Sequence, residues 1–157
     1  MDQTKFDFYV DCIRGAFTHI VHKMTGIVFQ ESSKLENIGN GEETIAVILG
    51  VCGPNKGRIM FEAGQTIAKA IGDKVNGEDC ANILELYLSL GEFANTFGGS
   101  AISDINDEYR GTSLRLTPPA VFGGEEMTIT TPNIHSAVIY FGSELGPILL
   151  DVGFEGA

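Results

Sequence analysis

Apolar positions recur at a helical period over two long stretches of the chain. In residues 79–101, Ile83, Tyr87, Leu90, Ala94 and Phe97 fall at i, i+4, i+7, i+11 and i+14, one stripe at the 3.6-residue repeat. Glu85, Ser89, Glu92 and Thr96 lie nearly opposite, with Asn95 beside them. The pattern predicts a helix that starts near Asp79, where Glu78 and Asp79 suit the positive end of a helix dipole. SAISDINDEY continues it to near Arg110-Gly111. The second stretch, residues 4–25, carries Phe6, Val10, Ile13, Phe17, Ile20 and Met24 on one stripe, and Gly26 is the expected stop. A shorter helix is predicted over 65–75, with Ile67, Ala68, Ile71 and Val75 inward, broken by NGED at 76–79.

Elsewhere the period changes to that of strands. TIAVILGVC at 44–52 is a near-continuous apolar run rich in β-branched residues, hence a buried strand. GPNKG at 53–57 is a turn and RIMFEA at 58–63 the return strand of a hairpin. IVFQE at 27–31 is a short strand, and the polar, GNG-containing residues 32–43 are a loop. SLRLT at 113–117 alternates, and Pro118-Pro119 ends its pairing because neither proline has an N–H to donate. EMTITT at 126–131 also alternates. SAVIYFG at 136–142 and PILLDVGF at 147–154 make a second apolar hairpin around SELG.

The order is therefore helix, hairpin, helix, hairpin. TIAVI at 44–48 resembles HSAVI at 135–139, GPNKG resembles GSELG, and RGAF at 14–17 resembles LGEF at 90–93. The economical reading is one α+β domain over 1–157, built from duplicated helix–hairpin halves of about 1–75 and 76–157, with a mainly antiparallel sheet packed on long helices.

Composition narrows the partners. Ten cationic residues stand against 21 acidic ones, a net charge of −11. Such a surface repels phosphate backbones and anionic lipid, which argues against nucleic-acid or membrane binding. No apolar run approaches a membrane span. MDQTKFDFY is not a secretory signal. Cys12, Cys52 and Cys80 lack CxxC spacing and are expected as reduced thiols in a cytoplasmic protein.

The chemistry candidate is Glu92-x-x-Asn95. The i, i+3 spacing puts both side chains on one face, roughly 5–6 Å apart at Cβ. A carboxamide donates and accepts, so it can orient a water without supplying charge; a carboxylate can pair with a lysine. With 13 Glu and 8 Asn in 157 residues, about 0.7 such spacings arise by chance, so spacing alone does not establish a site. The other candidates are weaker. His19 and His22 are i, i+3, but no Glu or Cys joins them at ligand spacing, and no metal site is expected. His135 has no obvious partner. GPNKG and FGG lack the G-K-[ST] context of a phosphate loop. The acidic clusters lack the Asp-x-Asp-x-Asp-Gly pattern of a calcium loop.

The run LGEFANTFGGSAISDINDEY, followed by SLRLT and Pro118, resembles the signature of the CheX/CheC/FliY phosphatases of bacterial chemotaxis. That motif is Asp or Ser, three residues, Glu, two residues, Asn, twenty-two residues, Pro. Glu92 and Asn95 match it, residues 96–117 supply the twenty-two, and Pro118 follows. AVILGVCGPNKGRIMF resembles the family's strand–turn–strand segment, and the single Glu–Asn pair resembles the short, single-site CheX branch. The motif's first position is Leu88 here; Ser89 stands one residue later, about 100° further round a helix. The first helix offers no second pair: Ala16 and His19, or Gly15 and Thr18, stand at the corresponding places.

The resemblance implies a CheC-like fold and a phosphatase acting on the aspartyl phosphate of a CheY-like receiver domain. It implies Glu92 and Asn95 as catalytic residues, with Asn95 orienting the attacking water and Glu92 pairing with the receiver's active-site lysine. Leu88, Ser89 and Thr96 would contact the partner. Magnesium would belong to the receiver, and this chain would need no cofactor of its own. A homodimer through edge strands fits the same resemblance. Two further readings use no catalysis: an adaptor binding a receiver or another signalling partner through the same helix face, and a structural dimerisation module.

Overall fold

The computed structural model describes residues 1–33, 37–125, 127–130 and 134–156. Helix α1 spans Gln3–Thr25, α2 Gln65–Asn76 and α3 Ile83–Glu108. Strands β1 to β7 span Gln30–Ser32, Thr44–Cys52, Gly57–Gly64, Arg115–Leu116, Ala120–Gly124, His135–Gly142 and Ile148–Phe154. Among the described residues these seven strands form one sheet, in the order β1-β6-β7-β3-β2-β4, with β5 also on β2. Every pairing is antiparallel.

Local signals account for the helix ends. Asp2 caps α1 by accepting from the Lys5 N–H, and Gly26 closes it at φ 75°, in the left-handed region glycine tolerates. The central helix begins later than its acidic lead-in suggests. Asn82 is its N-cap, accepting from the Glu85 N–H, while Glu85 accepts from the Ala81 N–H. Glu78 and Asp79 therefore lie outside the helix, and Glu85 is the acid in its first turn. A strong amide cap outweighs the preference of two exposed acids for a dipole.

The three helices cover one face of the sheet. Ile45, Val47 and Leu49 of β2, Ile59 and Phe61 of β3, and Leu150 and Val152 of β7 join the helical apolar stripes in one core. Phe17 of α1 lies at its centre, against Phe29, Phe61, Phe93, Phe97 and Phe141 at ring-centroid distances of 5.8, 6.3, 5.9, 5.4 and 5.0 Å. Phe93 and Phe97 come from α3, so this cluster sets the rotation of that helix about its axis.

The hairpins predicted around GPNKG and SELG form as β2–β3 and β6–β7. The region after α3 differs from expectation. Ser113 sits at φ 49°, so extended pairing starts at Arg115 and the predicted strand 113–117 shrinks to two residues. Pairing then resumes beyond the prolines, as β5 against Thr44–Ile48 of β2. Across the gap, the Thr117 N–H donates to the Gly50 carbonyl (2.9 Å) and its Oγ1 accepts from the Gly50 N–H (2.9 Å). The Thr117 hydroxyl oxygen thus accepts from Gly50 in place of a backbone carbonyl and holds the chain on β2 just before the two prolines. Residues 127–130 carry no strand, and 126 and 131 of the predicted EMTITT strand lie outside the described residues.

On the sheet face away from the helices, Arg58 and Asp151 form an ion pair at 2.8 Å with both side chains largely buried. Glu62 is half-buried beside them. Burial, then the Asp151 charge, raise its pKa above the ordinary 4.5, against the lowering influence of Arg58. The folded state consequently binds more protons than the unfolded one between the ordinary and the raised value, and stability falls as pH rises through that window. Glu62→Gln is expected to remove this component of the slope, which denaturant titrations of both proteins at mildly acidic and neutral pH will show.

Candidate functional site

The face of α3 that turns away from the phenylalanine cluster carries Glu92, Asn95 and Thr96, all exposed, while Phe93, Ala94 and Phe97 are buried. Neither the Glu92 carboxylate nor the Asn95 carboxamide has a hydrogen-bond or ion-pair partner among the described residues. An acceptor pair and a two-sided amide are therefore held one turn apart on a rigid element, free to engage another molecule. Thr96 donates its hydroxyl proton to the Glu92 carbonyl at 2.8 Å, so it presents its methyl and an acceptor oxygen.

Two glycines bring the sheet edge to this helix. A Cβ on Gly91 would lie 3.2 Å from Pro119 Cγ, and one on Gly98 would lie 2.7 Å from Leu49 Cδ1 and 3.0 Å from Leu116 Cδ1. Their missing side chains let the β4–β5 segment pass close beside α3. Asn106 holds the start of that segment, donating to the Leu114 carbonyl (3.0 Å) and accepting from the Leu114 N–H (2.8 Å). The result is a groove of about 570 Å³ between α3 and β5, walled by Leu84, Tyr87, Leu88, Pro119 and Val121, with Glu92 and Asn95 at one end. Burial first, then the Glu43 carboxylate, push the Tyr87 phenol pKa up, so it stays neutral.

A family model described as "Chemotaxis phosphatase CheX" matches residues 45–142, more than half of the chain. The chain belongs to the CheX family. Solved CheX and CheC-like structures share its α+β fold at low sequence identity. The CheX of Vibrio vulnificus is 17% identical over 94% of this chain and 96% of its own, with a TM-score of 0.79. A CheC-like protein of Shewanella sp. PV-4 is 21% identical over 99% and 100%, with a TM-score of 0.81. A CheX–CheY–BeF3–magnesium complex from Borrelia burgdorferi is 20% identical over 94% and 97%, with a TM-score of 0.76. No curated protein matches the chain.

The structure of this CheX-family chain brings some of the expected site residues together and separates others. Glu92, Asn95, Thr96 and Leu88 share the groove. Ser89 does not: it is only 5% exposed. Ser89, expected as a partner contact, is buried in this chain rather than on the exposed face with Glu92 and Asn95. Ile83, placed by its period on the buried stripe, is 54% exposed, because the stripe's first turn projects past the core. Pro118, the proline at motif spacing, is exposed, and it is Pro119 that lines the groove. Tyr87, Pro119 and Val121 carry no sequence signal of a site. On α1, Ala16 is buried and His19 exposed, and no acid–amide pair stands there. Among the described residues no three His, Cys, Asp or Glu side chains converge as metal ligands, and no helix is long and apolar enough to cross a membrane.

Proposed function

We propose that this chain hydrolyses the aspartyl phosphate of a CheY-like receiver domain, with Asn95 and Glu92 as the working pair. The observation that carries the reading is their placement: both are exposed, uncommitted and fixed on α3 at the end of an open groove. The CheX–CheY complex of B. burgdorferi supports the partner class. An aspartyl phosphate is a mixed anhydride and already labile, so catalysis is mostly the placing of water in line with the bond that breaks. The Asn95 carboxamide oxygen accepts a hydrogen bond from that water and aims its lone pair at phosphorus; the water's protons leave with the inorganic phosphate or to solvent. The water oxygen bonds to phosphorus, the bond from phosphorus to the aspartyl oxygen breaks, and inorganic phosphate and the free aspartate result. Glu92 pairs with the receiver's active-site lysine and fixes the angle at which α3 enters. Magnesium bound in the receiver would neutralise charge on the phosphoryl oxygens; this chain holds the water and the docking contacts.

The test is phosphate release from a receiver phosphorylated by a small-molecule donor, with this protein present at substoichiometric amounts. Multiple turnovers are the expected result; release no faster than the receiver's own rate would overturn the reading. Glu92→Gln keeps the shape and removes the charge. It is expected to lower kcat/KM by roughly 10- to 100-fold, mostly through weaker receiver binding, and to reduce the dependence of binding on salt. The second reading is an adaptor that binds the receiver without turnover. The apolar Leu88, exposed beside the pair, is the observation that favours it.

A further inference from the structure

Large apolar side chains are exposed at six places among the described residues, and three of them, Ile83, Leu84 and Leu88, stand in the first two turns of α3. Leu84 is 64% and Leu88 66% exposed. They lie at i and i+4 with Glu92 at i+8, so they form one ridge that runs along the helix into the candidate pair. Pro119 and Val121 face that ridge across the groove. The groove and the site are thus continuous, and a body that seats a phosphoryl group on Asn95 also covers the two leucines. Among the described residues no lysine or arginine lines the groove, and its one acidic side chain, Glu92, is at the end where Asn95 sits.

We infer that the groove between Leu84, Leu88, Pro119 and Val121 is a specificity site for an apolar side chain that the receiver presents beside its phosphorylated aspartate. The inference rests on the phosphatase reading for its partner, and it goes beyond it in naming the chemistry that selects among receivers. An aliphatic or aromatic side chain fills the groove and removes both leucines from water. A polar one loses its water there and meets only carbon at Leu84, Leu88, Pro119 and Val121, the Tyr87 hydroxyl being the polar group on that wall. Discrimination therefore comes as much from rejecting polar surfaces as from gripping an apolar one. Where an Asp or Ser at position 88 would ask the partner for a hydrogen bond, Leu88 asks for a hydrophobic contact.

The experiment uses the full chain and the CheY-like receiver of the same organism that it dephosphorylates or, failing turnover, binds. Binding is titrated with the receiver loaded with beryllofluoride and magnesium, and steady-state kinetics are measured with the phosphorylated form. Leu84→Ala/Leu88→Ala is expected to raise Kd and KM by about 10- to 100-fold, with kcat at saturating receiver changing far less. Leu88→Asp is expected to raise both as well. Val28→Ala and Leu145→Ala, which trim exposed apolar side chains elsewhere, are the controls for general surface stickiness. Circular dichroism and thermal unfolding confirm that the variants fold, as expected for residues that bury little. A double variant that binds within twofold of wild type overturns the inference, as does an equal loss in the two controls. Wild-type protein that binds the receiver without turning it over overturns the phosphatase reading instead, and the double variant's binding still decides the groove.

Discussion

Asn95→Ala is expected to abolish most of the phosphate release while leaving the protein as stable as before, or slightly more so. Asn95 is exposed and makes no side-chain hydrogen bond, so nothing in the fold depends on it. Alanine is also the better helix former, by about half a kcal/mol. What the substitution removes is a neutral carboxamide that both donates and accepts, and the proposed role of Asn95 is to hold a water through it. Loss of a single preorganised polar contact to the reacting atoms costs roughly 100- to 1,000-fold in kcat. Binding of a beryllofluoride-loaded receiver should persist, since Glu92 and the groove are untouched. Asn95→Asp should fail as well, because a carboxylate cannot donate and would face the phosphoryl oxygens with like charge. Single-turnover phosphate release with each variant is the measurement, and an Asn95→Ala protein with wild-type kcat would remove Asn95 from the chemistry.

The largest loss of stability is expected from Phe17→Ala. Phe17 is fully buried and touches five other phenylalanine rings drawn from α3, β3, β6 and the residue before β1. Its removal opens a cavity that no single neighbour can fill, because each neighbouring ring is already held by another element. Such truncations cost about 3–5 kcal/mol, a large share of the total for a domain of this size. Urea unfolding should show the midpoint moved to much lower concentration with the slope little changed. A functional loss should accompany it, since the same cluster holds Phe93 and Phe97 and thereby points Glu92 and Asn95 outward. Leu84 and Leu88, far from this cluster, should show the opposite profile, with binding lost and stability kept.

The long periodic segments were legible because burial of one helical face leaves its mark at every third or fourth residue. Both long helices, the two apolar hairpins and the short helix 65–76 fell within a few residues of their expected ends. Asn82 as the start of α3 was missed because an amide cap is a single residue competing with a visible run of acids. Strand β5 was missed because two prolines read as a terminator, whereas Thr117, bonded to Gly50, holds the chain on β2 just before them and the ladder resumes beyond. Ser89 looked solvent-facing on the helical period; its burial depends on what packs against that flank of α3, which the period does not carry.

By itself the sequence determined the helical and strand periods, the acid–amide spacing at 92 and 95, and the strongly acidic balance, since each is a property of local order along the chain. The tertiary structure alone decided which faces reach solvent, because that depends on what packs against them. It buried Ser89, brought Pro119 and Val121 across from Leu84 and Leu88 by way of two glycines, and turned α3 by the grip of Phe17 on Phe93 and Phe97. A groove is made of residues distant in sequence, and no spacing along one strand of chain can announce it.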